Sequence, residues 1–246
     1  MSNLILIKKK LQKFNKVISV SGDKSISIRW VLFASLASGL SKAENLLISE
    51  DVLAAINTVR KLGIRVVING KFCKIYGNGV DGFKYRKNLI LNAKNSGTLG
   101  RLIWRFLVNT PNQIKIIGDK SLSKRDFKRI SDPLSKFGVI LKLKNKKKLP
   151  LTIYGSINLK PIKKKEKKGS AQCKSAVIFA SLRTKGTTTI KAKKSRNHTE
   201  LMCKHLGLPI VVKSKKNYDE IKVKKAKKIK PFNYKIPSDI SSSAFF

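Results

Sequence analysis

Gly22-Asp23-Lys24-Ser25-Ile26-Ser27-Ile28-Arg29 carries a polar, Ser-bearing turn straight into an apolar helix, and the arrangement returns at Asn95-Ser96-Gly97-Thr98 and at Ser170-Ala171-Gln172. A spacing of roughly 70 residues between copies marks a repeated supersecondary unit. Each start presents unpaired N–H groups and the positive end of a helix dipole, which together attract an anion. Three such starts brought together would hold a phosphate and a carboxylate.

Outward from these turns, each copy reads alike. A buried helix comes first, expected over 25–38, 96–108 and 170–182. In the second copy Leu99, Leu102, Ile103, Phe106 and Leu107 follow helical spacing, and in the other two the apolar residues run almost all round, as in a helix enclosed by protein. Strands are expected next over 43–47, 113–117 and 187–190. Amphipathic helices over 52–62, 127–137 and 199–206 then stop at Leu62-Gly63-Ile64, Phe137-Gly138-Val139 and Leu206-Gly207-Leu208, where a Gly can take the left-handed C-terminal position. These glycines lie 75 and 69 residues apart. Further strands open at Arg65, Val139 and Ile210, so the unit reads βαβαββ and the fold class α/β. Gly22-Asp23-Lys24-Ser25-Ile26-Ser27 also has an echo in Gly118-Asp119-Lys120-Ser121-Leu122-Ser123, at a different point of its repeat.

With 246 residues, 41% of them hydrophobic, the chain can bury one large or two small cores. Its longest apolar stretch, Trp30 to Leu40, holds 11 residues and is too short for a membrane span. Leu4 to Ile7 precede Lys8-Lys9-Lys10, the reverse of a secretory signal, so a soluble, cytoplasmic protein is expected. Cys73, Cys173 and Cys203 are widely separated and read as inert thiols. No carboxylate pair or metal-ligand cluster stands out, and neither metal nor cofactor is expected. The charge is +42, from 55 Lys plus Arg against 13 Asp plus Glu, and only 10 of the cations are Arg. Such a field attracts polyanions, yet nearly pure Lys runs with few aromatics lack the forks and stacking surfaces of nucleic-acid sites. The runs 144–148, 160–168 and 213–230 read as loops and solvated faces, and nucleic acid is not the expected partner. At the other end Pro237-Ser238-Asp239 starts an apolar helix, Ser241 to Phe246, that has no end. That pattern suggests a chain cut inside a longer protein.

The sharpest chemistry lies in the first stretch. Arg29 is one turn beyond Ser25, so Lys24, the Ser25 hydroxyl and Arg29 can face one ligand, and a forked Arg beside a mobile Lys suits a phosphomonoester. Gly97 lets a ligand approach the backbone, with Arg101 one turn on. Ser170 and Gln172 offer a hydroxyl and an amide. On spacing alone each start also reads as an ordinary capped helix with solvated cations. His198 reads as a helix-capping residue, with catalysis the competing role, and His205 as a surface or core filler.

Six segments in order carry a resemblance to the 5-enolpyruvylshikimate-3-phosphate (EPSP) synthases, the shikimate-pathway enolpyruvyl transferases. They are Gly22 to Ser27 with Arg29, Asn95 to Thr98 with Arg101, Gly118-Asp119 through Lys124-Arg125, Ser170-Ala171-Gln172 with Lys174-Ser175-Ala176, Ser195-Arg196-Asn197-His198-Thr199-Glu200, and Pro237 to Ser242. The Ser-Ala-Gln form is similar to the bacterial class II branch. The resemblance implies an inside-out α/β barrel lobe of three βαβαββ repeats, the enolpyruvyl transferase fold, in which helices pack inside and sheets outside. Residues 1–20 would belong to the other lobe, 21–237 would form the shikimate-phosphate lobe (repeats at about 21–92, 93–165 and 166–237), and 238–246 would begin the mostly missing second lobe.

It further implies that Lys24, Ser25, Arg29, Ser170, Ala171, Gln172 and Ser195 bind shikimate 3-phosphate. Lys24, Gly97, Arg125 and Gln172 would bind phosphoenolpyruvate (PEP), with Lys24 the catalytic cation. The enolpyruvyl group of PEP would pass to the 5-hydroxyl of shikimate 3-phosphate through a tetrahedral adduct that loses phosphate, in aromatic amino acid biosynthesis. The acid/base carboxylates would come from the second lobe, leaving this portion inactive alone, and the full-length enzyme would be a monomer. Five residues depart from the family pattern: Ile28 in place of His, Leu99-Gly100 in place of a Thr-containing pair, Asp126 in place of Pro after Arg125, and Asn197 in place of Asp. Asp126 would weaken the hold of Arg125 on a carboxylate. The competing readings are a UDP-N-acetylglucosamine enolpyruvyl transferase and a non-catalytic, Lys-rich polyanion-binding protein.

Overall fold

The computed structural model describes Asn15, Val17 and residues 19–243. The expectations for the segment before residue 15 and for the last three residues lie outside that range. The chain runs through α1 (Lys24–Leu36), β1 (Ser38–Glu44), α2 (Glu50–Lys61), β2 (Arg65–Asn69) and β3 (Phe72–Asn78). Next come β4 (Leu89–Asn92), α3 (Gly97–Leu102) with a 3-10 turn over Ile103–Phe106, β5 (Ile114–Ile117), α4 (Lys120–Lys124), α5 (Lys128–Ser135), β6 (Ile140–Lys144) and β7 (Lys148–Tyr154). A third run holds β8 (Lys163–Glu166), α6 (Ala171–Ser181), β9 (Thr187–Lys193), α7 (His198–His205), β10 (Ile210–Ser214) and β11 (Tyr218–Lys224). β12 (Asn233–Lys235) and α8 (Ile240–Ser243) follow.

Among the described residues the strands form three four-stranded sheets, ordered β12-β1-β3-β2, β4-β5-β7-β6 and β8-β9-β11-β10. All three share one design: an edge strand parallel to its neighbour, followed by antiparallel pairs. In the second and third sheets the parallel pair brackets the buried helix in sequence, as a crossover requires. The first sheet takes its parallel edge from β12, so the end of the described chain completes what the beginning left open. Here the chain also enters and leaves side by side. Gly22 bridges Ser238, the Asp23 N–H donates to the Pro237 carbonyl at 2.8 Å, and the Asp239 N–H donates to the Ser21 carbonyl at 2.9 Å. A Cβ on Gly22 would fall 2.1 Å from the Asn45 carbonyl oxygen, which explains a glycine there.

α1, α3 and α6 fill the interior, as the all-round apolar sequences of α1 and α6 require. Phe179 of α6 lies between Phe33 of α1 and Phe106, with ring centroids 4.9 and 4.6 Å away. The sheets bury alternate residues against the helices and leave the others partly or fully exposed, as in β7 and β9. The three amphipathic helices end where their glycines predict. Gly63, Gly138 and Gly207 take φ values of +83°, +98° and +62°, conformations that cost a side-chain-bearing residue energy.

Several elements differ from the sequence expectation. The first strand runs over Ser38–Glu44 instead of 43–47. Gly39 and Gly77 pair across β1 and β3, and a Cβ on Gly77 would fall 2.2 Å from the Ala34 carbonyl oxygen, so the end of α1 lies directly on the backbone. Such close packing demands small residues and removes the β-branched signal. The second buried helix leaves α geometry at Leu102 and ends at Phe106, short of the expected 108. The Lys runs are not all loops, since β8 occupies Lys163–Glu166 and β11 occupies Tyr218–Lys224. Lys suits an edge strand such as β8, because charge discourages pairing with another chain.

Candidate functional site

The three helix starts singled out by the sequence are genuine caps. The Asp23, Ser96 and Ser170 side chains accept from the N–H of Ile26, Leu99 and Cys173, at 2.7, 3.3 and 3.2 Å. Asp119 does the same for α4, accepting from the Leu122 N–H at 2.6 Å, so the Gly-Asp-Lys-Ser echo is the same cap used twice. Capping leaves other first-turn N–H groups free, and the cap reading and the anion-site reading therefore coexist.

Side chains near the helix starts bring these starts together. Arg29 on α1 donates through Nε to the Thr199 hydroxyl of α7 at 2.8 Å, and through Nη2 to the Ser175 hydroxyl of α6 at 3.3 Å. Its Nη1 donates to the Ser25 carbonyl at 2.9 Å, and the Ser175 and Thr199 hydroxyls lie 2.7 Å apart. Arg29 is 3% exposed. Burial draws its pKa down to about 10, against the pull of Glu200 and Asp23, so it remains a cation at neutral pH. Lys24, by contrast, is half exposed and rests 3.3 Å from Asp51 on α2.

A second cluster joins α3 to α6. Arg101 Nη1 donates to Gln172 Oε1 at 3.1 Å, while Arg125 donates from Nη2 to Asn95 Oδ1 at 3.0 Å. Gly97 stands between them: a Cβ there would fall 2.8 Å from Arg125 Nη1 and 2.9 Å from Arg101 Nη1. Arg101, Ser170, Gln172 and Cys173 line a cleft of about 270 Å³ together with Asp126 and Arg129. Burial, then the nearby Arg125, lowers the pKa of Arg101. Asp126 does not take up Arg125. Its carboxylate accepts from the Lys128 N–H at 2.6 Å and so starts α5.

Ser195 lies in the turn between β9 and α7, where its hydroxyl oxygen is buried without a hydrogen-bond partner among the described residues. His198 is the first residue of α7 and not its cap, a position that Asn197 holds; burial followed by the field of Arg29 lowers the pKa of His198. His205 packs edge-on to Tyr234 at 5.3 Å.

Four contributors were not assigned by sequence reasoning. Thr199 and Ser175 anchor Arg29, although both lie inside segments that the resemblance had marked. Glu166, an isolated acid in a Lys run, shapes the approach to α6 by accepting from the Lys168 and Ser170 N–H groups at 3.0 and 3.1 Å. Its lone negative charge in that run was the available signal. Arg105 is fully buried and donates from Nη1 to the Gln172 carbonyl at 3.1 Å, while its Nε and Nη2 have no partner among the described residues. Burial holds its pKa well below the ordinary value. Among the described residues no helix is long and apolar enough to cross a membrane, and no group of His, Cys, Asp and Glu could hold a metal ion.

Comparison with known proteins gives one consistent answer. Residues 8–246 match the sequence model of the family described as EPSP synthase (3-phosphoshikimate 1-carboxyvinyltransferase). A 3-phosphoshikimate 1-carboxyvinyltransferase of Streptococcus suis is 39% identical over 242 residues, covering 98% of this chain and 56% of the relative. That of Caldicellulosiruptor bescii is 40% identical over 237 residues, covering 96% and 54%. The solved EPSP synthase of Acinetobacter baumannii superposes with a TM-score of 0.85 at 34% identity, over 93% of this chain and 51% of that one. The chain thus spans about half the length of the relatives it matches.

Proposed function

Since the chain belongs to the EPSP synthase family, we propose that it is the shikimate-phosphate-binding lobe of an enzyme that moves the enolpyruvyl group of PEP to the 5-hydroxyl of shikimate 3-phosphate. In this reading the lobe spans residues 21–237, and the enzyme acts in the cytoplasm as a monomer. The observation that carries the proposal is the convergence of helix starts from all three units through Arg29 and Arg101. Lys24, Ser25, Arg29, Ser170, Ala171, Gln172 and Ser195 take shikimate 3-phosphate. Gly97, Arg125, Gln172 and Lys24 take PEP. The missing Cβ of Gly97 leaves both guanidinium groups free to approach a carboxylate.

Cations of this kind act by positioning and by stabilising negative charge as it develops. Arg29 suits that role because its fork is fixed by three protein contacts before any ligand arrives. Lys24 has more freedom. An incoming phosphate would draw it from its half-exposed contact with Asp51, a pair of the kind worth about 0–1 kcal/mol. No acid/base carboxylate lies among the proposed ligands, so proton transfer is assigned to the remainder of the enzyme.

Calorimetric titration of the 246-residue chain with shikimate 3-phosphate tests the proposal. Saturable binding that disappears in Lys24→Ala and Arg29→Ala is expected. No sugar-phosphate binding, with a steep salt-dependent affinity for duplex DNA instead, would leave the polyanion reading in its place.

A further inference from the structure

Beneath the Ser195 turn lies a buried ion pair that none of the proposed ligand contacts requires. Lys174, in the first turn of α6, is 0% exposed, and Glu200, in the first turn of α7, is 3% exposed. The Lys174 ammonium sits 2.7 Å from Glu200 Oε1 and also donates to the Ser195 carbonyl at 3.4 Å. The approach to Glu200 lies off hydrogen-bonding geometry, so neither carboxylate oxygen has a hydrogen-bond partner among the described residues. Two charges withdrawn from water in this way are a poor source of stability, because desolvation offsets most of their attraction. An apolar pair of similar volume would serve the core as well or better. The carbonyl contact is what such an apolar pair could not reproduce.

We propose that Lys174 is a positioning residue that holds the Ser195 turn through its backbone carbonyl, so that the unpartnered Ser195 hydroxyl meets shikimate 3-phosphate already oriented. Glu200 is the counter-charge that keeps the ammonium in place. It sits at the positive end of α7, where a carboxylate is favoured. The arrangement resolves two oddities together: a buried lysine reaching out of α6 to a turn, and a buried hydroxyl left without a partner in that turn. Holding the turn before binding spares the ligand the cost of ordering it. This inference rests on the shikimate 3-phosphate reading given above.

The decisive variant is the double replacement Lys174→Met with Glu200→Leu, which removes the charges as a pair and keeps the volume filled. Lys174→Met alone strands a buried carboxylate and is expected to unfold readily. The double variant should keep a melting temperature at or above that of the parent chain. Its dissociation constant for shikimate 3-phosphate should rise about tenfold, the equivalent of one charge-assisted hydrogen bond. Adding Ser195→Ala should then weaken binding little further, whereas in the parent background the same change should weaken it about as much as the double replacement does. Amide exchange at residues 195–197 of the ligand-free double variant should accelerate. A double variant that binds like the parent, with unchanged exchange in the turn, overturns the proposal and leaves the pair a core feature. A parent chain that does not bind shikimate 3-phosphate overturns the functional reading instead, and the exchange measurement still decides whether Lys174 holds the turn.

Discussion

Gly97 shows how much one missing side chain can decide. The Cβ of Gly97→Ala would press on the ends of Arg101 and Arg125, which are flexible and can withdraw. Folding stability should therefore change by less than about 1 kcal/mol, while PEP affinity in the complete enzyme should fall severalfold as the guanidinium groups move off. A thermal melt beside a PEP titration checks both halves of that expectation. Asp51→Asn works in the opposite direction. Releasing Lys24 from its carboxylate should strengthen shikimate 3-phosphate binding by up to about fivefold, in line with a half-exposed pair, and a loss of affinity would show that Asp51 positions the lysine. The thiols are a third case. Burial pushes Cys73 up to about 12 and raises Cys203 further, so at pH 8 both should react with a disulfide reagent only after unfolding. At this scale the sequence exposed the side chains proposed to meet a ligand, because charge and helix position are local properties. It did not expose Thr199 and Ser175 as anchors, since the contact with Arg29 spans 170 and 146 residues and leaves no local pattern.

Among the elements, legibility followed whether a signal was local. The three glycine stops were readable because a left-handed C-terminal residue depends only on its own turn. Gly207 and Gly63 now separate two costs. Gly207 has open space about its missing Cβ, so Gly207→Ala should cost about 1 kcal/mol from backbone conformation alone. At Gly63 the added Cβ would also fall 2.6 Å from the Lys84 carbonyl oxygen, and the same substitution should cost more. Urea unfolding of both variants would reveal the difference, and equal losses would contradict this account. β1 and β8 were unreadable for opposite reasons. β1 is built of small residues because α1 presses on it, whereas β8 is built of lysines because it lies at an edge; neither resembles the β-branched run of β9.

For the whole molecule, the +42 charge proved a poor guide to the fold, since the lysines lie largely on outer faces while the helices carry the pattern. The three-unit architecture was legible because a repeat is written three times. What a repeat cannot reveal is where its edge strands come from, and the first unit borrows its edge from the far end. The Phe232 N–H donates to the Ser41 hydroxyl across 191 residues of chain. A chain ending at Pro231 should consequently lose β12 and unfold in two steps, with the first sheet opening at a lower denaturant concentration than the other two; a single transition would show that β12 is dispensable. The same borrowed strand imposes an order on synthesis. At about 5–20 residues per second, the first unit emerges from the ribosome roughly ten seconds or more before its edge partner exists. Throughout that interval the open side of β1 offers unpaired backbone to any neighbouring nascent chain. Its Ser, Gly and Lys residues, poor β-formers in the finished protein, make that edge a reluctant partner while it waits.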